Sequence, residues 1–233
     1  MKSHTVHSFD KELEGIRDRV MAMGGLTEQQ LSDALTALIT GDSFLAEMVI
    51  DKDKKLNRME LDIDNACIFL LARRTPVAFD LRLVVTMLKT INDLERIGDL
   101  AKEIARTVPI FSENTNNSNC LPLIENIGER VKKTLHKSLD ILARSDTRMA
   151  AKLYKDSQED HRHDTILRHM LTLVMEEPYD APNALHICQI TRALERIGDR
   201  CRNIAEYVVY LVEGKDIRHA GSKRNSTFHS TRK

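Results

Sequence analysis

The chain has 233 residues, enough for one large domain or two small ones, and its 35 basic and 35 acidic side chains balance. That neutrality argues against a dedicated nucleic-acid binder, which needs a basic excess to meet phosphates, and a 42 % hydrophobic share argues against a disordered chain. With 4 % aromatic residues, no Trp, nine Gly and five Pro there is little material for strands and tight turns, while good helix formers abound, so the expected fold is all-α.

Helices are expected over about 9–40, 43–73, 77–107, 121–144, 146–176 and 183–213. Gly24-Gly25 inside the first should bend or loosen it. Gly41-Asp42-Ser43 ends it, and Asp42 or Ser43 supplies the N-cap of the second. Pro76 closes the second helix and pushes Thr75 out of the helical region. A Ser-, Asn- and Thr-rich run from Pro109 to Pro122 breaks the chain near its middle, and Glu177 to Pro182 breaks it again. The expected organisation is a three-helix unit over 1–108, a linker over 109–120, a second three-helix unit over 121–213 and a basic tail over 214–233.

The longest apolar stretch, Ala66 to Ala72, is far short of the ~20 residues of a membrane span, and the N-terminus has no apolar signal core. A cytoplasmic protein is expected. Cys67, Cys120, Cys188 and Cys201 form no CxxC pair and read as reduced thiols.

The two halves repeat. LERIGD stands at Leu94 to Asp99 and again at Leu194 to Asp199, and nine of eighteen residues are identical when 91–108 is laid on 191–208. The repeat falls on the third helix of each half. The second helices match less well, with Asp53 to Asn57 against Asp156 to Asp160. A period of about 100 residues is too long for a solenoid and points to a duplicated three-helix unit.

Glu95 and Asp99, like Glu195 and Asp199, are four residues apart and share a helix face. Leu81 and Leu88 precede the first pair on one stripe, and Ala181, Leu185 and Cys188 precede the second, so both acidic pairs are expected to face the bundle. Carboxylates there must be paired, protonated or bound to metal. Gly98 and Gly198, each beside its Asp, suggest close packing. Asp53, Asn57, Glu60 and Asp64 on one second helix, and Asp156, Asp160 and Asp164 on the other, add oxygen donors suited to hard cations, iron or manganese.

The competing reading is an ordinary salt-bridged scaffold, with Arg96, Arg196, Lys102, Arg200 and Arg202 neutralising the acids. A carboxylate-bridged metal enzyme is a further alternative, but neither copy carries the ExxH of ferritin-like di-iron proteins, and no nucleophile–base pair accompanies the acids. His161, His163 and His169 do not share one face and read as solvated side chains rather than a zinc site.

Three stretches resemble the PhoU family of bacterial phosphate-transport accessory regulators: 15–35 (GIRDRVMAMGGLTEQQLSDAL), 80–106 (DLRLVVTMLKTINDLERIGDLAKEIAR) and 194–219 (LERIGDRCRNIAEYVVYLVEGKDIRH). The resemblance spans about 9–220. It implies two tandem three-helix bundles related by a pseudo-two-fold axis, a homodimer, and multinuclear metal on E(D)xxxD motifs, with iron first and zinc, manganese or magnesium as the other choices. Carried over by position, the metal residues are Asp53, Asn57, Glu60, Glu95 and Asp99 in the first half and Asp156, Asp160, Glu195 and Asp199 in the second. Asn57 stands where the family has an acid, and His163 stands where the first half has Glu60. The implied role is non-enzymatic: damping the phosphate-starvation response by contact with the sensor histidine kinase PhoR and the Pst transporter ATPase PstB. Membrane contact is then expected only through these partners, and the tail, +5 against −5 for the other 213 residues, could add to it at an anionic leaflet.

Overall fold

A computed structural model describes residues 7–112, 121–158 and 181–214. Among them there are six helices and no strand: α1 (His7–Thr40), α2 (Ser43–Arg74), α3 (Ala78–Ser112), α4 (Leu121–Arg144), α5 (Thr147–Gln158) and α6 (Ala181–Glu213). The remainder of the expected fifth helix, with His161, His163 and His169, lies outside the described residues.

Local chemistry sets the helix ends. Gly41 takes a left-handed φ of 68°, and the Asp42 N–H reaches back to the Ala37 carbonyl at 3.0 Å. Asp42 is then the N-cap of α2, accepting the Leu45 N–H at 3.0 Å. The second half builds the same turn: Ser145 is left-handed at φ 54°, Asp146 N–H bonds the Ile141 carbonyl at 3.1 Å, and the Asp146 carboxylate caps α5. Here a serine holds the position that glycine fills in the first half. Thr75, before Pro76, also leaves the helical region, into the left-handed one at φ 42°.

One boundary differs from the sequence expectation. Helix α3 runs through Pro109 to Ser112, so the break begins four residues later than the proline suggested. Phe111 is buried in the core, and that burial offsets the backbone bond that Pro109 cannot donate.

Helices α1, α2 and α3 pack on one another, as do α4, α5 and α6. The two sets join through α3 on α6, the most extensive helix pair, and through α1 on α4. A single apolar core runs across both sets, from Leu13, Met23 and Leu56 to Leu135, Leu194 and Ile204. The α1–α4 crossing explains Gly24. A Cβ there would lie 2.7 Å from the Leu139 side chain, and a Cβ on Gly128 would lie 2.9 Å from Leu35. Each helix thus notches itself with glycine to admit a leucine of the other, at antiparallel register, and α1 continues as helix through Gly24-Gly25.

At the α3–α6 seam a buried carboxylate replaces apolar packing. Asp93 accepts from Arg200 at 3.1 Å, Tyr207 Oη at 2.9 Å and Asn203 at 3.5 Å. Burial pushes its pKa up, against these three donors. Lys89 sits 5.4 Å over the Tyr207 ring and 5.2 Å over the Tyr210 ring. Arg82 reaches further along the same seam to the Leu211 carbonyl at the end of α6.

Candidate metal centre

Helices α2 and α3 face each other along an acidic seam. Asp53, Asn57, Glu60 and Asp64 recur at helical spacing on α2, while Glu95, Asp99 and Lys102 recur on α3. The antiparallel packing sets Lys102 against Asp53, Gly98 against Leu56, and Glu95 near Glu60. Gly98 is the contact that lets the helices close: a Cβ there would fall 2.1 Å from Leu56 Cδ2 and 3.2 Å from Gln30 Oε1. Gln30, fully buried on α1, donates to the Gly98 carbonyl at 3.4 Å from behind.

The seam holds more negative charge than it neutralises. Asp53, Glu60, Asp64, Glu95 and Asp99 are five carboxyls, against the ammonium of Lys102 and the exposed guanidinium of Arg96, 3.7 Å from Glu95. Burial, then Asp99 and Glu60, raises the Glu95 pKa to about 7, and Glu95 shares a hydrogen bond with Asp99. Burial and Asp64 likewise raise Glu60. Burial also opposes the Asp99 charge, but Lys102 outweighs it and holds that carboxyl below its usual range.

Lys102 is the junction. Its Nζ donates to Asp53 Oδ2 at 2.5 Å and to Asp99 Oδ1 at 2.8 Å, tying α2 to α3. Burial disfavours its charge, yet the two carboxylates hold its pKa above the ordinary value. The other Asp53 oxygen, Oδ1, is buried without a hydrogen-bond partner, as is Asn57 Oδ1.

The second half is arranged differently where it is described. Glu195 is exposed and Asp199 half-exposed, with the Asp199 carboxylate bonded by Arg202, three residues on. The expectation that both stripes face the bundle therefore needs correction. Leu81 and Leu185 are exposed, because the core face of α3 and α6 is carried by Leu94, Ile97, Ile104 and by Leu194, Ile197, Ile204. The acidic stripe lies beside that face, at its edge. Gly198 also departs from expectation, since a Cβ there meets nothing within 4 Å. The Asp156 side chain and all of Asp160 and Asp164 lie outside the described residues.

The oxygen-only donor set, the charge excess and the unpartnered buried Asp53 oxygen fit a hard cation. As the side chains stand, no three Asp, Glu, His or Cys among the described residues are arranged to hold one metal ion. In the first half the Lys102 ammonium lies between Asp53 and Asp99.

The PhoU domain family model matches residues 20–108 and again 124–208. The chain belongs to the PhoU family. It is 44 % identical over 223 residues to the phosphate-specific transport system accessory protein PhoU of Escherichia coli (strain K12), covering 95 % of this chain and 92 % of that protein. The relative from Edwardsiella tarda is also 44 % identical, covering 95 % of this chain and 91 % of its own length. The crystal structure of PhoU from Pseudomonas aeruginosa superimposes with a TM-score of 0.86 at 42 % identity, over 89 % of this chain and 100 % of that one. The phosphate transport system regulatory protein PhoU from Streptococcus pneumoniae gives 0.82 at 28 % identity, over 89 % of this chain and 98 % of that one. These PhoU proteins are named as accessory and regulatory proteins rather than enzymes. No described helix is long and apolar enough to cross a membrane.

Sequence reasoning named the seam acids and included Lys102 among their neutralisers, but it missed Asp93. The signal was available: the repeat aligns Asp93 with Ala193, and an unmatched acid on an apolar face requires a partner elsewhere.

Proposed function

We propose that this PhoU-family chain is a negative regulator of the phosphate-starvation response, acting by protein contact as an accessory of the phosphate-specific transport system. The observation that carries this reading is the 44 % identity to transport accessory proteins over 95 % of the chain. The resemblance points to the kinase PhoR and the ATPase PstB as partners, to a homodimer, and to a cytoplasmic chain held at the inner membrane through those partners. A metal, iron first among the choices, would be held in the first half by Asp53, Asn57, Glu60, Glu95 and Asp99. There it would supply charge neutralisation and a cross-link between α2 and α3, two helices that meet at Gly98. The chain's own residues supply the rest: Gln30 and Leu56 fix the depth of the seam, and burial beside Asp99 and Glu60 disfavours the charged form of Glu95 until a cation offsets it. The test is a reporter under a phosphate-starvation promoter in cells lacking this chain. Expression at high phosphate is the expected result, and normal repression would refute the proposal.

A second reading has its own observation. Lys102 and Arg202 each bond the motif aspartate three residues before them, as a salt-bridged scaffold would have it. That reading expects no bound metal in the full-length protein.

A further inference from the structure

We propose that Lys102 is a tethered counter-ion which occupies a divalent-cation position between Asp53 and Asp99, and that a metal binds the first seam by displacing its ammonium. The inference rests on the reading of this seam as a cation site and adds how the site is gated. Three observations carry it.

First, the ammonium stands where a cation would. It is 2.5 Å from Asp53 Oδ2 and 2.8 Å from Asp99 Oδ1, bridging carboxylates from two helices. Two of its three donors are spent on these two oxygens, and neither reaches the other oxygen of Asp53.

Second, the seam remains underneutralised with the lysine in place. Asp53 is 4 % exposed, yet its Oδ1 has no partner, and the Asn57 Oδ1 beside it has none. The one ammonium at this end of the seam leaves Asp53 Oδ1 unmet, whereas a divalent ion recruiting Asp53 and Asp99 would bring two charges and an open coordination sphere.

Third, the occupant can leave. Lysine's charge rides on a flexible four-carbon stem, and Lys102 retains 17 % side-chain exposure at the seam's edge, so the ammonium has a route to water. The repeat places Arg202 at the aligned position, bonded to Asp199, so both halves carry a basic residue three places after the motif aspartate. A charged hydrogen bond must be given up on each carboxylate before a metal can take it, which lowers metal affinity without removing a ligand.

The experiment uses the full-length chain freed of metal, with Mn2+ as the probe, comparing wild type with Lys102→Met and Lys102→Gln. Methionine keeps the aliphatic stem and removes the charge; glutamine keeps a donor for Asp53 in case the methionine variant folds poorly. Asp99→Ala identifies the first-half site by the binding it loses. In chelator both Lys102 variants should melt below wild type, because Asp53 loses its counter-ion. Mn2+ should then raise their melting temperature more than it raises that of wild type, and calorimetry should show first-half binding at least about tenfold tighter, about 1.4 kcal/mol. Equal or weaker Mn2+ binding in both variants would overturn the proposal while leaving the metal reading intact. Absence of first-half Mn2+ binding in wild type and variants alike would overturn both.

Discussion

The two copies of LERIGD offer a matched pair of substitutions whose effects should have opposite signs. Gly98→Ala and Gly198→Ala make the same chemical change at the same place in the same hexapeptide. In an isolated helix each would stabilise by about 1 kcal/mol, the difference between Ala and Gly in a helix interior. At Gly198 the new methyl meets nothing within 4 Å, so that gain should appear almost whole. At Gly98 the methyl would sit 2.1 Å from Leu56 Cδ2, and Leu56 is fully buried. Leu56 must change rotamer or α2 must move off α3, at about 1–3 kcal/mol for overpacking a filled core. The net at Gly98 is then a loss of up to about 2 kcal/mol, and the two variants should differ by about 1–3 kcal/mol. Urea unfolding of both variants in chelator, at one pH, gives the comparison. Shifts of the same sign and size at the two positions would show that the tight α2–α3 approach at Gly98 is not what the structure says it is.

Three further expectations follow from particular residues. Asp93→Ala should cost about 1–3 kcal/mol in urea unfolding, because it takes the buried acceptor from the half-buried Arg200 and Tyr207 at the α3–α6 seam; a loss below about 0.5 kcal/mol would contradict the network. Ser145→Gly should raise stability by about 0.5–1 kcal/mol, since a left-handed φ of 54° strains serine but not glycine, whereas Gly41 in the matching turn needs no such help. The pH dependence has a definite sign. Glu95 titrates near 7 when folded and near 4.5 otherwise, so its contribution is complete below pH 4.5 and is lost as pH rises through 7. Stability in chelator should fall over that window by at most about 3 kcal/mol, and Glu95→Gln should make the slope shallower, with Glu60 and Asp93 supplying what remains; a slope unchanged in that variant would refute the assignment.

Much of this was legible in the sequence because it is local. Asp42 as N-cap and the break at Pro76 depend on two or three neighbouring residues and the chemistry of a helix end. The acidic spacing on α2 and α3 follows from helical periodicity, so the facing acids of the first half were legible in the sequence. What stayed hidden depends on which helix meets which. Gly24 and Gly128 are mutual notches only once α1 crosses α4, and periodicity alone cannot tell a notch from a hinge. The exposure of the second stripe has the same origin. Leu185 and Leu81 share the acidic stripe's azimuth, but the core was taken by residues such as Ile97 and Ile197, about 160° around the helix from Glu95 and Glu195. Identical motifs also diverged, since Gly98 is crowded by Leu56 while Gly198 is not, and Asp93 aligns with Ala193.

The central claim is that the seam between α2 and α3 takes a cation and is more than an ion-paired scaffold. Elemental analysis of the full-length protein beside Glu95→Ala/Asp99→Ala tests it most directly. Bound metal is expected in the wild type and a lower metal-to-protein ratio in the double variant, with the second-half share retained. Metal content that is zero in the wild type, or unchanged in the double variant, would contradict it and leave Lys102 and Arg202 as ordinary salt-bridge partners.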